Sequence, residues 1–547
     1  MKKDILLLAA LSMGMAACTN ETLNPDDSAN NNATDQDSPV SNLTTAKLAV
    51  FSGNPNRVTY EGNTRAEEEL QPGELRLVAT IGNPDASVFS NFTGDGVSGG
   101  RYMSATSVYY NEDTQTYYVT YHMQGNNYNT NVDVQSAGAI QSFKIAEDGT
   151  VELGDGFTSA NRNEEDFDFN HIYFEKTDQR ILAVGHNVKG GKQDNTNAIV
   201  GIFDPTTATY TYSTVKTNEK DYDEAGKSLG YKDAGDVNSI LRPNDDFLTP
   251  SGWNFYLLAT RKGLAVVRAD EGHLFEPVLN EDGENYFIPT PGSAKSIIQG
   301  TAGSYFGLLY LSQNTAELPE AYSTGSEAKI AHFAINTTSS QGLRSLMYPT
   351  TAPFTSPFID FDPREVLIEN FSGQTDIPGV ISPIDGKNTL FAIPRFSDEE
   401  YYAALGTSGL YYHFRGNTTN RVFEGVKKYG NRPVNNVFAD REVTGEGIYD
   451  EEGHRTGHDG FLYVANGSKI TVHHRHTMEE LASWNMPSKD ADGNDIASSA
   501  NFITVTSAPV GENGLSERTI AVAFGQAGVK IFKFMPATKT VWEREVE

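Results

Sequence analysis

Thr519–Phe534 reads TIAVAFGQAGVKIFKF: two short apolar runs around the connection Gly525-Gln526-Ala527-Gly528. The first run, Thr519–Phe524, is apolar at successive rather than alternate positions, the pattern of a strand covered on both faces. A lone hairpin is marginal in water, so this unit needs copies of itself to pack against.

The copies are present. First strands are expected at Ala105–Tyr110, Asn170–Phe174, Val237–Leu241, Ala294–Ile298, Gly379–Ser382, Val434–Phe438 and Ala500–Val505. Strongly apolar second strands follow at Tyr117–Tyr121, Ile181–Gly185, Phe255–Ala259, Phe306–Leu311, Leu390–Ile393, Phe461–Ala465 and Thr519–Phe524. Third strands complete the units, for example Ala139–Ile145, Ala198–Phe203, Lys469–His474 and Val529–Phe534. Seven antiparallel units in register predict an all-β chain folded as a seven-bladed β-propeller spanning residues 74–547. Two stacked β-sandwiches are the alternative, but they would not explain seven units in register. Glu74–Ile81 has no first strand before it, so it is expected to pair with the last unit and close the ring.

Composition agrees. The 547 residues include 26 Tyr, 29 Phe and 50 Gly, which favours short strands and turns over long helices. A formal net charge of −30 argues against nucleic acid and anionic lipid as partners. The single cysteine, Cys18, rules out an internal disulfide framework and a Cys-based zinc site in the body.

Residues 1–17 carry Lys2 and Lys3, an apolar run Ile5–Leu11, and small residues up to Ala16-Ala17-Cys18. This is the pattern of a secretory signal, and its apolar run is too short for an ordinary transmembrane helix. Met15-Ala16-Ala17-Cys18 resembles a bacterial lipobox, although Met15 stands where Leu is usual; the resemblance implies cleavage before Cys18 and lipid on its thiol. Residues 18–73 are rich in Asn, Asp, Ser and Thr and read as a flexible tether, with an expected span on the order of 40 Å. Lys47–Phe51 is the one apolar patch in it. Lipobox, polar tether and seven-unit body together resemble the surface lipoproteins of Bacteroidota. In that group propellers capture ligands for TonB-dependent outer-membrane transporters. The resemblance implies a lipid-anchored protein of the outer membrane facing the cell exterior, with cobalamin, a ferric siderophore or a glycan as ligand. It transfers no binding residue.

In a propeller, fourth-to-first and second-to-third connections emerge on one face, and here those connections are the long ones. Binding residues concentrate on loops carried by a rigid scaffold, so this is the expected functional face. Its rim includes Tyr128, Phe157, Phe167, Tyr222, Tyr231, Phe354, Phe358, Tyr401 and Tyr402. Nearer the centre come His122, His186, Arg261, Lys262, Arg395 and Gln526 at second-strand ends, and Asn170, Asn238, Lys295, Asn435 and Asn501 at first-strand starts. Such a ring of donors suits carboxylate, phosphate or phenolate oxygens, or a sugar stacked on the aromatics. The plainer reading is that these residues satisfy strand ends and turns.

Catalysis has weaker signals. Asp166, Asp168 and Asp236 fall at first-strand entrances and could serve as acid and base in an envelope hydrolase or lyase. No nucleophile elbow or HExxH motif accompanies them. A scaffold for protein–protein contacts in an envelope assembly is the third reading. His473, His474 and His476, with His454 and His458, make at best a partial metal set, because alternation on a strand separates them. Asp490, Asp492 and Asn494 resemble the start of a Ca²⁺ loop, but the twelfth position is Asn501 where the closing Glu should stand.

Overall fold

The computed structural model describes residues 43–61, 70–85, 102–124, 138–146, 149–160, 164–176, 178–189, 196–243, 254–269, 274–279, 283–290, 293–299, 461–474, 479–489, 500–509 and 516–537, together with the backbone of the strands between residues 305 and 457. Among these the only helical element is the 3-10 turn Pro55–Arg57. The chain is all-β.

Its strands form successive antiparallel sheets, named here in chain order. The first sheet is Tyr102–Asn111, Thr116–Gln124, Gly138–Ile145 and Val151–Ser159; the second is Glu165–Glu175, Arg180–Lys189, Thr196–Asp204 and Thr209–Thr214. The third holds Val237–Leu241, Phe255–Thr260 and Gly263–Arg268, with Glu276–Pro277 and Phe287–Pro289 sharing its outer edge. The fourth starts at Ala294–Gln299, the fifth at Thr389–Ala392 and the sixth at Asn436–Ala439. The seventh runs Phe502–Ser507, Arg518–Ala523, Val529–Phe534, and is completed by Leu75–Ile81 and Val58–Tyr60 from the other end of the chain.

The first strand of each sheet packs against the first strand of the next, and that of the seventh packs against Tyr102–Asn111 of the first. Closure is tied by a small knot of bonds. Ala105 and Gly525 exchange backbone hydrogen bonds, and the Asn83 amide donates to the carbonyls of Met103, Gly525 and Gln526 at 2.6, 2.9 and 3.1 Å. Gly528, at φ +77°, brings its backbone so close to the Ile81 carbonyl that a Cβ would lie 2.1 Å from that oxygen.

The cores lie between successive sheets. Ala521 and Ala523 join Met103, Val108 and Tyr121 of the first sheet, whereas Ile520, Val522 and Phe524 join Phe461, Tyr463 and Val472 of the sixth. The unbroken apolar run therefore serves two cores, small residues on one face and large ones on the other. Leu182, Val184 and Val200 meet Tyr256, Leu258 and Val267 between the second and third sheets in the same way.

Three expectations change. Within the stretch read as tether, Thr44–Phe51 is a strand whose first half pairs with Thr209–Thr214 and whose second half pairs with Val151–Ser159, joining two sheets into one nine-stranded sheet. Leu48 is its buried anchor, so the paired body starts before residue 74. The apolar patch Lys47–Phe51 was the visible part of that strand. In the fifth sheet, Thr389–Ala392 is the first strand rather than the second, and Gly379–Ser382 lies outside the described residues. Tyr401 and Tyr402, expected on a rim loop, belong to the strand Glu400–Leu405, paired with His413 and Tyr412. Taking Leu390–Ile393 as the second strand left the aromatic string EYYAAL, of strand-favouring composition, in a loop.

Candidate functional site

The first strands of the first four sheets carry a β-bulge near their start. Thr106, Asn170, Asn238 and Lys295 are each skipped in the ladder between their own neighbours. A bulge twists the strand and re-aims the extra residue, and at Asn170 and Asn238 it directs the side chain toward the adjoining sheet. Asn170 donates to the Val237 carbonyl at 3.0 Å, Asn238 to the Ala294 carbonyl at 2.6 Å and Asn501 to the Ala105 carbonyl at 3.3 Å. Each link joins one first strand to the next. These asparagines, expected to offer donors to a ligand, spend them on the backbone of the neighbouring sheet.

The same end of the first three sheets gathers ionisable groups. His122 lies near the end of the second strand of the first sheet, and its Nδ1 lies 2.6 Å from Asp168 Oδ2 on the first strand of the second sheet. Asp168 stands opposite His186 in the ladder of that sheet. His186 Nδ1 in turn lies 3.4 Å from Asp236 Oδ1, at the entrance to the third sheet, and the Asn170 amide donates to the same oxygen at 2.8 Å. The result is an alternating row, His122–Asp168–His186–Asp236, across three sheets. Asp166 is buried beside it, with the Ser159 hydroxyl donating to its Oδ1 at 3.2 Å. Gly185 makes the row possible: a Cβ there would lie 1.9 Å from the Asp168 carbonyl oxygen.

Burial alone would raise the Asp168 pKa, but the His122 charge and hydrogen bond, with His186 and the Phe169 N–H, hold it below the ordinary value. Burial alone would lower that of His186; Asp236, with Asp168 and Asp166, outweighs it and lifts the imidazole to about 9. At neutral pH Asp168 is a carboxylate and His186 an imidazolium. Each stabilises the other's charged form.

His171, one residue beyond the Asn170 bulge, behaves oppositely. Its Nδ1 accepts the Ile240 N–H at 3.2 Å, its ring stacks on Tyr109 at 5.1 Å, and burial lowers its pKa to about 4. Its folded pKa lies below the unfolded value near 6.5, so native stability is lost as pH falls from about 6.5 through 4. His171→Gln should flatten that acid limb, leaving less loss between pH 6.5 and 4 than in the parent, as measured by urea unfolding at stepped pH.

The remaining expected residues disperse. Lys262 Nζ donates to the Asp233 carbonyl at 2.6 Å, at the base of the hairpin Lys216–Tyr222/Ser228–Asp233. Arg261 is exposed, its N–H donating to the Asp236 carbonyl at 2.9 Å. Gln526 is exposed at the closing turn. Lys295 is placed by its backbone alone, while Arg395, Asn435 and the loop bearing Asp490, Asp492 and Asn494 lie outside the described residues, as do Tyr128, Phe354 and Phe358. Phe157 and Phe167 are not rim residues. They are buried in the core between the first two sheets, Phe167 edge-on to Tyr210 at 5.3 Å. Tyr222 is exposed at 57% and Tyr231 lies 5.4 Å from the Lys220 ammonium, so these two do stand at the surface. His473 is buried and bonds Thr471 Oγ1 at 2.8 Å, a local structural contact.

Sequence reasoning named both histidines and all three aspartates but set them apart, as donors and as acids. Their pairing is a contact between units, visible only once second-strand ends and the next first strand adjoin. Asn83 and Ser159 were missed altogether.

No protein-family model and no curated protein matches the chain. Among solved structures it is similar to the crystal structure of Chaetomium thermophilum Raptor, at 8% identity and a TM-score of 0.38, over 80% of this chain and 29% of that one. The chain thus spans less than a third of that protein, and a likeness this distant carries no argument.

Proposed function

We propose that the chain is a seven-bladed β-propeller, secreted, lipidated at Cys18 and held on the outer membrane, that captures a small or oligomeric nutrient at one mouth of the ring for a TonB-dependent transporter. The cyclic packing of first strands and the strand contributed by Leu75–Ile81 support the ring. The lipobox resemblance supports the anchor. The observation that carries the binding role is the row His122–Asp168–His186–Asp236, where charged groups from three sheets meet while keeping partial access to solvent. A body needs no such row for stability, since buried ion pairs are poor stabilisers against apolar packing. A second reading, an envelope hydrolase or lyase, draws on the same row: Asp168 beside two imidazoles has the makings of acid–base chemistry.

A thermal-shift screen of the mature chain against cobalamins, ferric siderophores, haem and glycans tests the capture reading. One class should raise the melting temperature by about 2–4 °C at saturating ligand, and Asp168→Asn should remove most of that shift. A flat screen would sink the reading. Turnover of a ligand by the parent chain, abolished in Asp168→Asn, would select the enzyme instead.

A further inference from the structure

Residues 44–60 do more than lengthen two sheets. Thr44–Phe51 crosses from the second sheet to the first between Lys47 and Leu48, and the turn before Thr209 grips that crossing. The Leu48 N–H donates to the Ala208 carbonyl at 2.9 Å, and Lys47 Nζ donates to the Thr207 carbonyl at 3.1 Å. Ala208 presents its carbonyl at φ +52°, a left-handed conformation that a Cβ disfavours. Further on, Asn54 and Pro55 start the 3-10 turn that carries Arg57. The Arg57 guanidinium donates to the Gly82 carbonyl at 2.9 Å, to Gln141 Oε1 at 2.9 Å and to the Tyr121 hydroxyl at 3.3 Å. The Gly82 N–H donates to the Arg57 carbonyl at 2.8 Å. Gly82 precedes Asn83 of the closing knot, and Tyr121 precedes His122 of the row. Few apolar contacts back these bonds: of Thr44–Phe51 only Leu48 is buried. The three acceptors of the guanidinium are neutral, so among the described residues no ion pair holds it out of water. A segment held in this way opens at a lower free energy than the body it lies on.

We propose that residues 44–60 are a clasp that opens as one unit ahead of the ring, and that Arg57 carries its state to the mouth. Closed, the clasp laces the second, first and seventh sheets together beside the seam where the two ends of the chain meet. Open, it withdraws the Arg57 donors from Tyr121 and Gln141, each 1% exposed, and from Gly82. Buried acceptors that lose a donor are costly, so the strand end bearing His122 and the turn tied by Asn83 loosen together. The coupling is reciprocal: whatever tightens the mouth also closes the clasp. The opening stands on this geometry alone. Its use, loosening the mouth to release a captured ligand, rests on the capture reading.

Native-state hydrogen exchange of the mature chain in rising urea, with no ligand present, reads the clasp directly. In the parent, the amides of Thr44–Phe51 and Val58–Tyr60 should share one opening with little urea dependence, merging with global unfolding only at higher urea. The amides of Ala105 and Gly525, bonded to each other across the closing knot, should follow the same opening. Leu48→Ala should speed exchange by about tenfold or more in both clasp segments and at Ala105 and Gly525. Combined with Arg57→Gln, the Leu48 effect should persist in Thr44–Phe51 and vanish at Ala105 and Gly525, because the link is cut. Leu258→Ala, in the core between the second and third sheets, should speed exchange in Phe255–Thr260 and leave the clasp unchanged. Separate openings of the two clasp segments overturn the proposal, as does exchange of the clasp by global unfolding alone. A Leu48 effect that still reaches Ala105 and Gly525 in the Arg57→Gln background also overturns it. The urea series on the parent decides the opening even if a variant does not fold. A flat ligand screen sinks the capture reading and leaves the clasp standing, since no ligand enters this experiment.

Discussion

Phe532→Ala should lower the unfolding free energy by about 3–5 kcal/mol, the usual cost of emptying a fully buried aromatic site. Phe532 has no solvent exposure, and its ring lies 5.1 Å from Trp484, the sixth-sheet residue that also meets Phe524 at 5.7 Å. The cavity would open between the sixth and seventh sheets, next to the strand that joins the two ends of the chain. Urea unfolding of Phe532→Ala, Trp484→Ala and the double variant gives the coupling directly. A coupling of roughly 0.5–1.5 kcal/mol is expected for an aromatic pair beyond its area term. A loss under 1 kcal/mol for Phe532→Ala would mean that this seam is not a packed core.

The all-β class and most strand positions were legible because burial on both faces leaves a distinct mark. Ile181–Gly185, Phe255–Ala259 and Thr519–Phe524 are apolar at consecutive positions, and each is a central strand of its sheet. The pairing of Leu75–Ile81 with Val529–Phe534 was legible from a different signal, a strand left without a unit of its own. Thr44–Phe51 was not legible. It buries one residue, Leu48, and a bridging strand that lends its backbone to two partners needs little apolar sequence. The fifth sheet was misregistered because its first strand, TLFA, is as apolar as a second strand, and polarity was the only guide to order.

The site was legible as a list and not as a chemistry. A ring of donors was expected, and in the structure the donors of Asn170, Asn238 and Lys262 are spent on backbone carbonyls. Strand-entrance positions attract residues of this kind because an adjoining sheet leaves carbonyls to satisfy, as every buried polar group must be. Read one unit at a time, a histidine at a strand end is a free donor. Read across units it is half of a pair, since the next first strand brings an aspartate against it. The repeat of this relation, His122 with Asp168 and His186 with Asp236, is a property of how sheets adjoin.

Gly185→Ala tests whether the row depends on that junction. Gly185 faces Phe169 in the ladder at the bulge that projects Asn170, immediately before His186. Its missing Cβ would stand 1.9 Å from the Asp168 carbonyl oxygen and 3.2 Å from the Asn170 nitrogen, both backbone atoms that cannot swing aside. The methyl must push the first strand of the second sheet away from its neighbour. Overpacking of this kind typically costs 1–3 kcal/mol, and a clash with backbone belongs at about 3 kcal/mol or above. The displaced segment carries Asp168, so the His122 contact at 2.6 Å should lengthen and ligand affinity should fall more than tenfold in protein that is still folded. Gly201→Ala is the matched control. Its Cβ would also meet backbone, the Thr211 carbonyl at 2.5 Å, but two strands away from Asp168 in the same sheet. Both variants should lose stability in urea, and only Gly185→Ala should lose affinity disproportionately. Equal loss of affinity in both would show that the mouth responds to general destabilisation of the second sheet rather than to the placement of Asp168.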